Sequence, residues 1–228
     1  MLIHDDIIDK SGTRRGKPSM HMMLDKHLNG HKNVRFDGKD LAIAIGDIMY
    51  AFSIYSFLCV EENGKRKEAA LKKLIEAVIY TGSGEFIELL SGITDIGKIS
   101  RRDIYKIYDF KTAIYTFASP LAVGAILAGA EKTQSDGLFN YGIHLGRAFQ
   151  IKDDYLGLFG KESKIGKPNL TDIREGKKTL LAWYAYRNSE RKNKNRIKSI
   201  FSKSNAGGRE LEMMRKIIKE SGALECVK

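Results

Sequence analysis

The sequence predicts an all-α fold, and three observations predict it. Apolar residues recur at helical spacing along most of the 228 residues. Only 3 prolines interrupt that pattern. No run of alternating apolar and polar residues is long enough to make a convincing sheet. With 43% hydrophobic and 29% charged residues the chain is globular, and its length suits one core, so a single domain over 1–228 is expected.

The elements follow in order. A short helix is expected over 2–10, ended by Gly12 and Thr13. The stretch 38–60 is apolar on most faces, as a central helix is. Residues 66–92 begin amphipathic and are expected to break near Gly82 and Gly84. Ser100 and Asp103 mark a helix start. The 18 residues 113–130 carry no charge; Ser119, Pro120 and the small residues make a buried core helix the better reading than a membrane span. Another helix covers 137–159, a polar loop 160–172 follows, and basic amphipathic helices finish the chain.

Composition narrows the function. Cys59 and Cys226 lie far apart and form no disulfide framework, which points to a reducing, cytoplasmic setting. Acidic residues appear almost at once, so no signal peptide is expected. The net charge of +11 suits nucleic acid, an anionic membrane or phosphorylated small molecules. Its densest basic run, 190–203, has few aromatics and reads as a solvated helix or loop, so nucleic acid is not an expected partner.

The chemistry lies in two acidic clusters. In "LIHDDIIDKSGTRRGKP" (2–18), Asp5 and Asp9 sit four apart on one helical face, with Asp6 on the flank. Paired carboxylates suit a hard dication, and magnesium is held by one or two of them together with substrate phosphates. Arg14 and Arg15 follow, and guanidinium forks suit phosphate oxygens. The plain alternative is a helix end carrying intramolecular Asp–Arg pairs. In "GRAFQIKDDYLGLFG" (146–160) the arrangement repeats: Asp153 and Asp154 lie on a helix, Gln150 shares their face, and Lys164, Lys167, Lys177 and Lys178 come after it. Two such clusters suggest facing helices whose carboxylates converge on shared ions across a cavity. His27 and His31 have helical ligand spacing, with His21 nearby, but no Cys or well-placed carboxylate completes a transition-metal set.

The chain resembles the trans-polyprenyl diphosphate synthases of the geranylgeranyl/farnesyl type. The matching pieces are "LIHDDIIDKSGTRRGKPSMH" (2–21), "GD" (46–47), "DFKTAIYTFASPLAVGAILAG" (109–129), "GRAFQIKDDYLGLFG" (146–160) and "GKPNLTDIREGKKTLL" (166–181), in the family's order. The resemblance implies an isoprenoid-synthase-like antiparallel helical bundle around a central cavity, lacking the family's N-terminal and C-terminal helices. It implies condensation of an allylic diphosphate with isopentenyl diphosphate to a short-chain all-trans product, geranylgeranyl or farnesyl diphosphate, by a cytoplasmic homodimer using three magnesium ions. Asp5, Asp9 and Asp153 would hold metal, with Asp154 in support. Arg14 would contact the allylic diphosphate and Arg15 the isopentenyl diphosphate. Lys111, Lys167 and Lys177 would add allylic-diphosphate contacts, and Thr112 and Gln150 would line the reacting carbons. Phe52, Tyr80, Phe86, Tyr115 and Phe149 are candidate cavity walls. Gly157 stands where a third aspartate is frequent, and Glu85 and Glu88 stand in a "GEFIE" segment that departs from the more usual Gln-x-x-Asp. The alternatives are a non-catalytic or modulatory subunit of a prenyl diphosphate synthase and a class I terpene cyclase.

Overall fold

The computed structural model describes residues 2–160, 169–203 and 205–227. Among them the chain is helical apart from one two-stranded hairpin, and it packs as two compact units that meet in sequence at Glu62–Asn63.

The first unit holds helix α1 (Leu2–Ile8), the hairpin strands β1 (Thr13–Arg14) and β2 (Lys17–Pro18), α2 (Met20–Leu28) and α3 (Gly38–Leu58). The hairpin turns on Arg15 and Gly16, both at positive φ (53° and 75°), the backbone of a type I′ turn, which glycine adopts freely and arginine does not. α3 starts on a capping box of Asp37 and Asp40. Its buried residues, Gly38, Ala42 and Gly46, recur every fourth position and form a narrow seam of small side chains. A Cβ on Gly38 would meet the His21 carbonyl at 2.2 Å, and one on Gly46 would meet the His4 ring at 2.5 Å. α3 is therefore not the buried central helix its composition suggests. Its seam is glycine and alanine, while Ile48, Met49, Phe52 and Tyr55 are exposed.

The second unit begins with α4 (Gly64–Ile93), a single turn of 3-10 helix (Ile96–Lys98) and α5 (Arg101–Tyr108), capped by Ser100 and Asp103 as expected. A π-helical segment (Asp109–Ala118) leads straight into α6 (Ser119–Leu127), and α7 (Lys132–Phe159) follows. Then come α8 (Thr171–Arg174), α9 (Leu180–Asn188), α10 (Arg191–Phe201), α11 (Gly208–Glu220) and a last 3-10 turn (Glu225–Val227). α4 does not break at Gly82 or Gly84. A glycine costs a helix interior about 1 kcal/mol, and Gly84 is needed there: its Cβ would fall 2.6 Å from the Lys111 backbone nitrogen. One core is built by Leu158, Ile173, Leu181, Ile197, Met214 and Ile217 from the C-terminal helices. A second joins Ile99, Ile104, Tyr108 and Leu180. Two stretches, Gly38–Leu58 and Arg101–Leu127, are long and apolar enough to cross a membrane by length and composition alone. In the second stretch Ala113, Ile114, Ala118, Ala122 and Ala125 are buried.

Candidate active site

The first acidic motif is built on α1. The Asp9 N–H donates to the Asp5 carbonyl at 2.8 Å, so the two carboxylates stand one helical turn apart. Asp6 is turned inward and buried, where its oxygens accept two hydrogen bonds from Arg14 Nε, each 2.8 Å. Arg14 Nη2 also pairs with Asp5 at 2.9 Å. The Asp6 hydrogen bond is the main cause that raises the Arg14 pKa above its ordinary value. The internal Asp–Arg pairing is thus what the structure shows for Arg14. The hairpin exists to bring that guanidinium back over α1, and Arg15 at its tip is exposed. The glycine of the "GD" pair receives the His4 ring, and Asp47 lies 3.4 Å from His4 Nε2. His21 is buried against Ser19 Oγ at 3.3 Å. α2 ends at Leu28, before His31, so the His27–His31 spacing is not helical.

In the second unit three glycines grip the π-helical segment. Gly84 faces Phe110 and Lys111, Gly146 faces Ala113 (Cβ to Cα 2.4 Å) and Gly142 faces Ala118 (2.4 Å). Each admits backbone where a side chain would collide. The wide winding ends with the Ser119 N–H on the Ile114 carbonyl, an i→i−5 bond, one residue before Pro120. Proline cannot donate to the carbonyl four residues back, and its ring crowds that carbonyl. A wider turn upstream relieves the crowding, and such π turns recur at functional sites.

That segment presents Lys111 and Thr112. Lys111 Nζ lies 2.8 Å from Glu85 and closer still to Glu88, so the two carboxylates of "GEFIE" bracket it. Thr112 Oγ1 donates to Gln150 Oε1 at 2.7 Å, and Gln150 Nε2 donates to Asp154 Oδ1 at 2.9 Å. The Tyr108 hydroxyl donates to Asp154 Oδ2 in a short hydrogen bond and accepts the Leu180 N–H at 3.0 Å. One hydrogen-bonded array therefore joins the "DFKT", "QIKDD" and "GKKTLL" motifs. Burial pushes the Asp154 carboxyl up to about 8, against the opposing pull of its Tyr108 and Gln150 hydrogen bonds. Burial, with the Asp154 charge next, drives the Tyr108 phenol well above its ordinary value. Asp153, the neighbour of Asp154, is half-buried. Lys177 pairs with Glu175 at 2.7 Å. Lys161, Lys164 and Lys167 lie outside the described residues.

The sequence reading missed Tyr108, the inward turn of Asp6, and the bracketing of Lys111 by Glu85 and Glu88. For Tyr108 a signal existed: it stands three residues before Lys111, one turn along the same helix. Gly157 has a local reason for being glycine, since a Cβ there would meet Asp172 Oδ2 at 2.6 Å. The five proposed wall aromatics, Phe52, Tyr80, Phe86, Tyr115 and Phe149, are all exposed. Tyr80 packs on Phe110 and Phe149 on Phe117, with ring centroids 4.8 and 5.3 Å apart.

Comparison with known proteins decides the family. The sequence profile described as polyprenyl synthetase matches residues 1–219. The chain belongs to the polyprenyl synthetase family. Within it, the chain is 31% identical over 225 residues to a short chain isoprenyl diphosphate synthase of Methanocaldococcus jannaschii, covering 96% of this chain and 62% of that protein. It is 32% identical over 227 residues to a geranylfarnesyl diphosphate synthase of Aeropyrum pernix, covering 98% and 65% respectively. Among solved structures, the geranylgeranyl pyrophosphate synthase of Corynebacterium glutamicum, complexed with isoprenyl diphosphate and magnesium, superposes with a TM-score of 0.85 at 29% identity, covering 99% of this chain and 64% of that one. This polyprenyl synthetase chain thus spans 62–65% of the length of these relatives.

Proposed function

We propose that this chain condenses an allylic diphosphate with isopentenyl diphosphate to a short-chain all-trans prenyl diphosphate, geranylgeranyl or farnesyl. The observation that carries the reading is the array Thr112–Gln150–Asp154–Tyr108 beside Lys111, which ties three of the family's motifs into one connected site.

Asp5, Asp9 and Asp153 are the proposed magnesium residues, three ions being the family expectation. The donors fit: all are hard carboxylate oxygens, the type magnesium takes. Asp154 fits a supporting role, because its two oxygens are committed to Tyr108 and Gln150. Magnesium, when bound, neutralises charge on the diphosphate that leaves. The chain's own residues supply the rest. Lys111, Lys167 and Lys177 add positive charge for the allylic diphosphate, Arg14 serves the same diphosphate, and Arg15 serves the isopentenyl diphosphate. Charge aimed at the departing oxygens stabilises what develops there. Thr112 and Gln150 line the reacting carbons, held in place by their hydrogen bonds to each other and to Asp154. Water must be kept from the allylic cation, a task for apolar walls. A homodimer fits the exposed apolar residues of α3 and α4, among them Phe52, Tyr55, Ile79 and Phe86. Two free exposed cysteines fit a cytoplasmic setting.

Chromatography of dephosphorylated products, after incubation with isopentenyl diphosphate and dimethylallyl, geranyl or farnesyl diphosphate, tests this reading. All-trans C15 or C20 alcohols that vanish on chelation support it; their absence with every allylic partner rejects it. A second reading, a modulatory subunit, is favoured by the pairing of Arg14, Lys111 and Lys177 with the chain's own carboxylates. It predicts no turnover alone and an altered product distribution when the chain is added to a full-length synthase.

A further inference from the structure

Lys178 is 6% exposed, an unusual place for an ammonium. Its Nζ donates to the Gly92 carbonyl at 2.8 Å and to the Gly176 carbonyl at 2.6 Å, and lies 4.4 Å from the centre of the Phe201 ring. The Gly92 carbonyl belongs to the last turn of α4, whose final four carbonyls have no partner within the helix. Thr94 serves two others, its Oγ1 donating to Leu90 at 2.8 Å and its N–H to Ser91 at 3.0 Å. Lys178 serves Gly92, and a cation there also suits the negative end of the helix dipole.

The turn 175–177 lies directly on that helix end. A Cβ on Gly92 would meet the Glu175 carbonyl at 3.2 Å, and one on Gly176, at φ +70°, would meet the Gly92 carbonyl at 3.0 Å. The two backbones approach closely here, and the positive φ of Gly176 favours glycine at that position. The Lys177 N–H donates to the Asp172 carbonyl at 2.9 Å, and the Leu180 N–H to Tyr108. Lys177 therefore sits in a short non-helical link held at several points, and Lys178 is the side chain that bonds this link to α4. α4 is also the helix that carries Glu85 and Glu88, which bracket Lys111.

We propose that Lys178 is a positioning residue, whose ammonium pins the 175–177 turn to the end of α4 and so fixes where Lys177 presents its charge to a diphosphate. The proposal rests on the diphosphate-binding role proposed for Lys177. A hydrocarbon side chain of the same length would fill the space beside Phe201 but could not bond either carbonyl. Burial lowers the Lys178 pKa to about 8, a cost that filling space does not require.

The test compares Lys178→Met, Lys178→Arg and Lys177→Met, with Lys178→Leu, which also removes both N–H bonds, replacing the methionine variant should that one fail to fold. Amine labelling of Lys177, read by mass spectrometry, reports its position without any turnover. Calorimetry with inorganic diphosphate and magnesium, and KM against kcat for the allylic diphosphate, report the consequence. We expect Lys178→Met to label Lys177 several-fold faster and to weaken diphosphate binding about tenfold, the worth of one charge-assisted contact, with kcat within about twofold. Lys178→Arg restores both. The double variant Lys177→Met/Lys178→Met binds no worse than Lys177→Met alone, because the pin acts through Lys177. A folded Lys178→Met protein with parental labelling, or a double variant with additive losses, overturns the pin. Parental diphosphate binding by Lys177→Met instead overturns the reading of Lys177, and the pin's purpose with it.

Discussion

Asp6 in the first acidic motif and Asp154 in the second are buried alike, 4% and 5% exposed, yet their surroundings compensate that burial in opposite ways. Asp6 receives a guanidinium: Arg14 returns on the hairpin and places its fork on the carboxylate. Asp154 receives neutral donors, the Tyr108 hydroxyl and the Gln150 amide, and its carboxyl rises to about 8. Asp6 is thus paired with a cation from its own unit. Among the described residues Asp154 has no cation on either oxygen, and burial raises its pKa. The local sequences are similar, an aspartate pair on a helix among apolar neighbours, so the difference comes from what the fold brings to each.

The largest expected effect tests whether both motifs serve one reaction. Asp5→Ala and Asp153→Ala should each lower turnover by about 10²–10³, the cost of removing one preorganised electrostatic group from a transition state. Their melting temperatures should stay near the parent's, since both side chains are half-buried. Near-parental turnover in either variant would remove that motif from the site.

Next in size is a pair with opposite signs. Asp6→Asn leaves the Arg14 guanidinium without its buried partner and should destabilise by about 2 kcal/mol, less than a fully buried pair because the Arg14 side chain is 35% exposed. Asp154→Asn mimics the protonated acid and should do the reverse in metal-free protein. The folded Asp154 pKa is about 8 against an ordinary 3.8. Between those values the folded state holds a proton that the unfolded chain has lost. Stability therefore falls as pH rises through that window, by up to about 1.4 kcal/mol per unit. Denaturant midpoints with chelator at pH 5, 6.5 and 8 should show the decline in the parent and a flatter line in Asp154→Asn. Parallel lines would mean that Asp154 is ionised in the fold and that the contrast with Asp6 is false.

Packing sharpens the same contrast. In the second unit Gly146 faces the Ala113 backbone at 2.4 Å, whereas in the first unit Gly46 faces the His4 ring at 2.5 Å. A ring can swing aside; a Cα in a gripped helix cannot. Gly146→Ala should cost about 1–3 kcal/mol as an overpacked contact, and Gly46→Ala less. Loss of the ring's 3.2 Å contact with the Ile43 carbonyl, visible in the His4 side-chain resonances, would report the swing in Gly46→Ala.

How much of this was legible follows from the range of each cause. Period and capping act within a few residues, so α7, the Ser100–Asp103 start of α5 and the absence of a sizeable sheet among the described residues could be read directly. The two acidic motifs were legible from spacing. The pairing of Asp6 with Arg14 was open, because the same residues allow either an internal pair or a free phosphate fork. Tyr108 to Asp154 spans 46 residues and Trp183 to Ile99 spans 84, and no local pattern encodes either. The expected break in α4 failed for a related reason. Glycine reads as a helix breaker locally, but Gly84 is there for the backbone of a distant segment. Family resemblance supplied the roles of Lys111 and Gln150; composition alone did not.

The smallest effect separates glycines that packing requires from one that it does not. Gly137 lies on the same helix as Gly142 and Gly146, it is exposed, and nothing stands within 4 Å of a Cβ placed on it. Relative to alanine it costs the helix about 0.5–1 kcal/mol in backbone entropy with no contact in return. Gly137→Ala should therefore raise stability by about that amount and leave turnover alone. Gly146→Ala, nine residues along α7, should lower stability. The opposite signs on one helix isolate contact with the π-helical segment as the cause, because helix propensity favours alanine at both positions. If both substitutions stabilise, the close approach at Gly146 is not there, and the second motif is held by its hydrogen bonds alone.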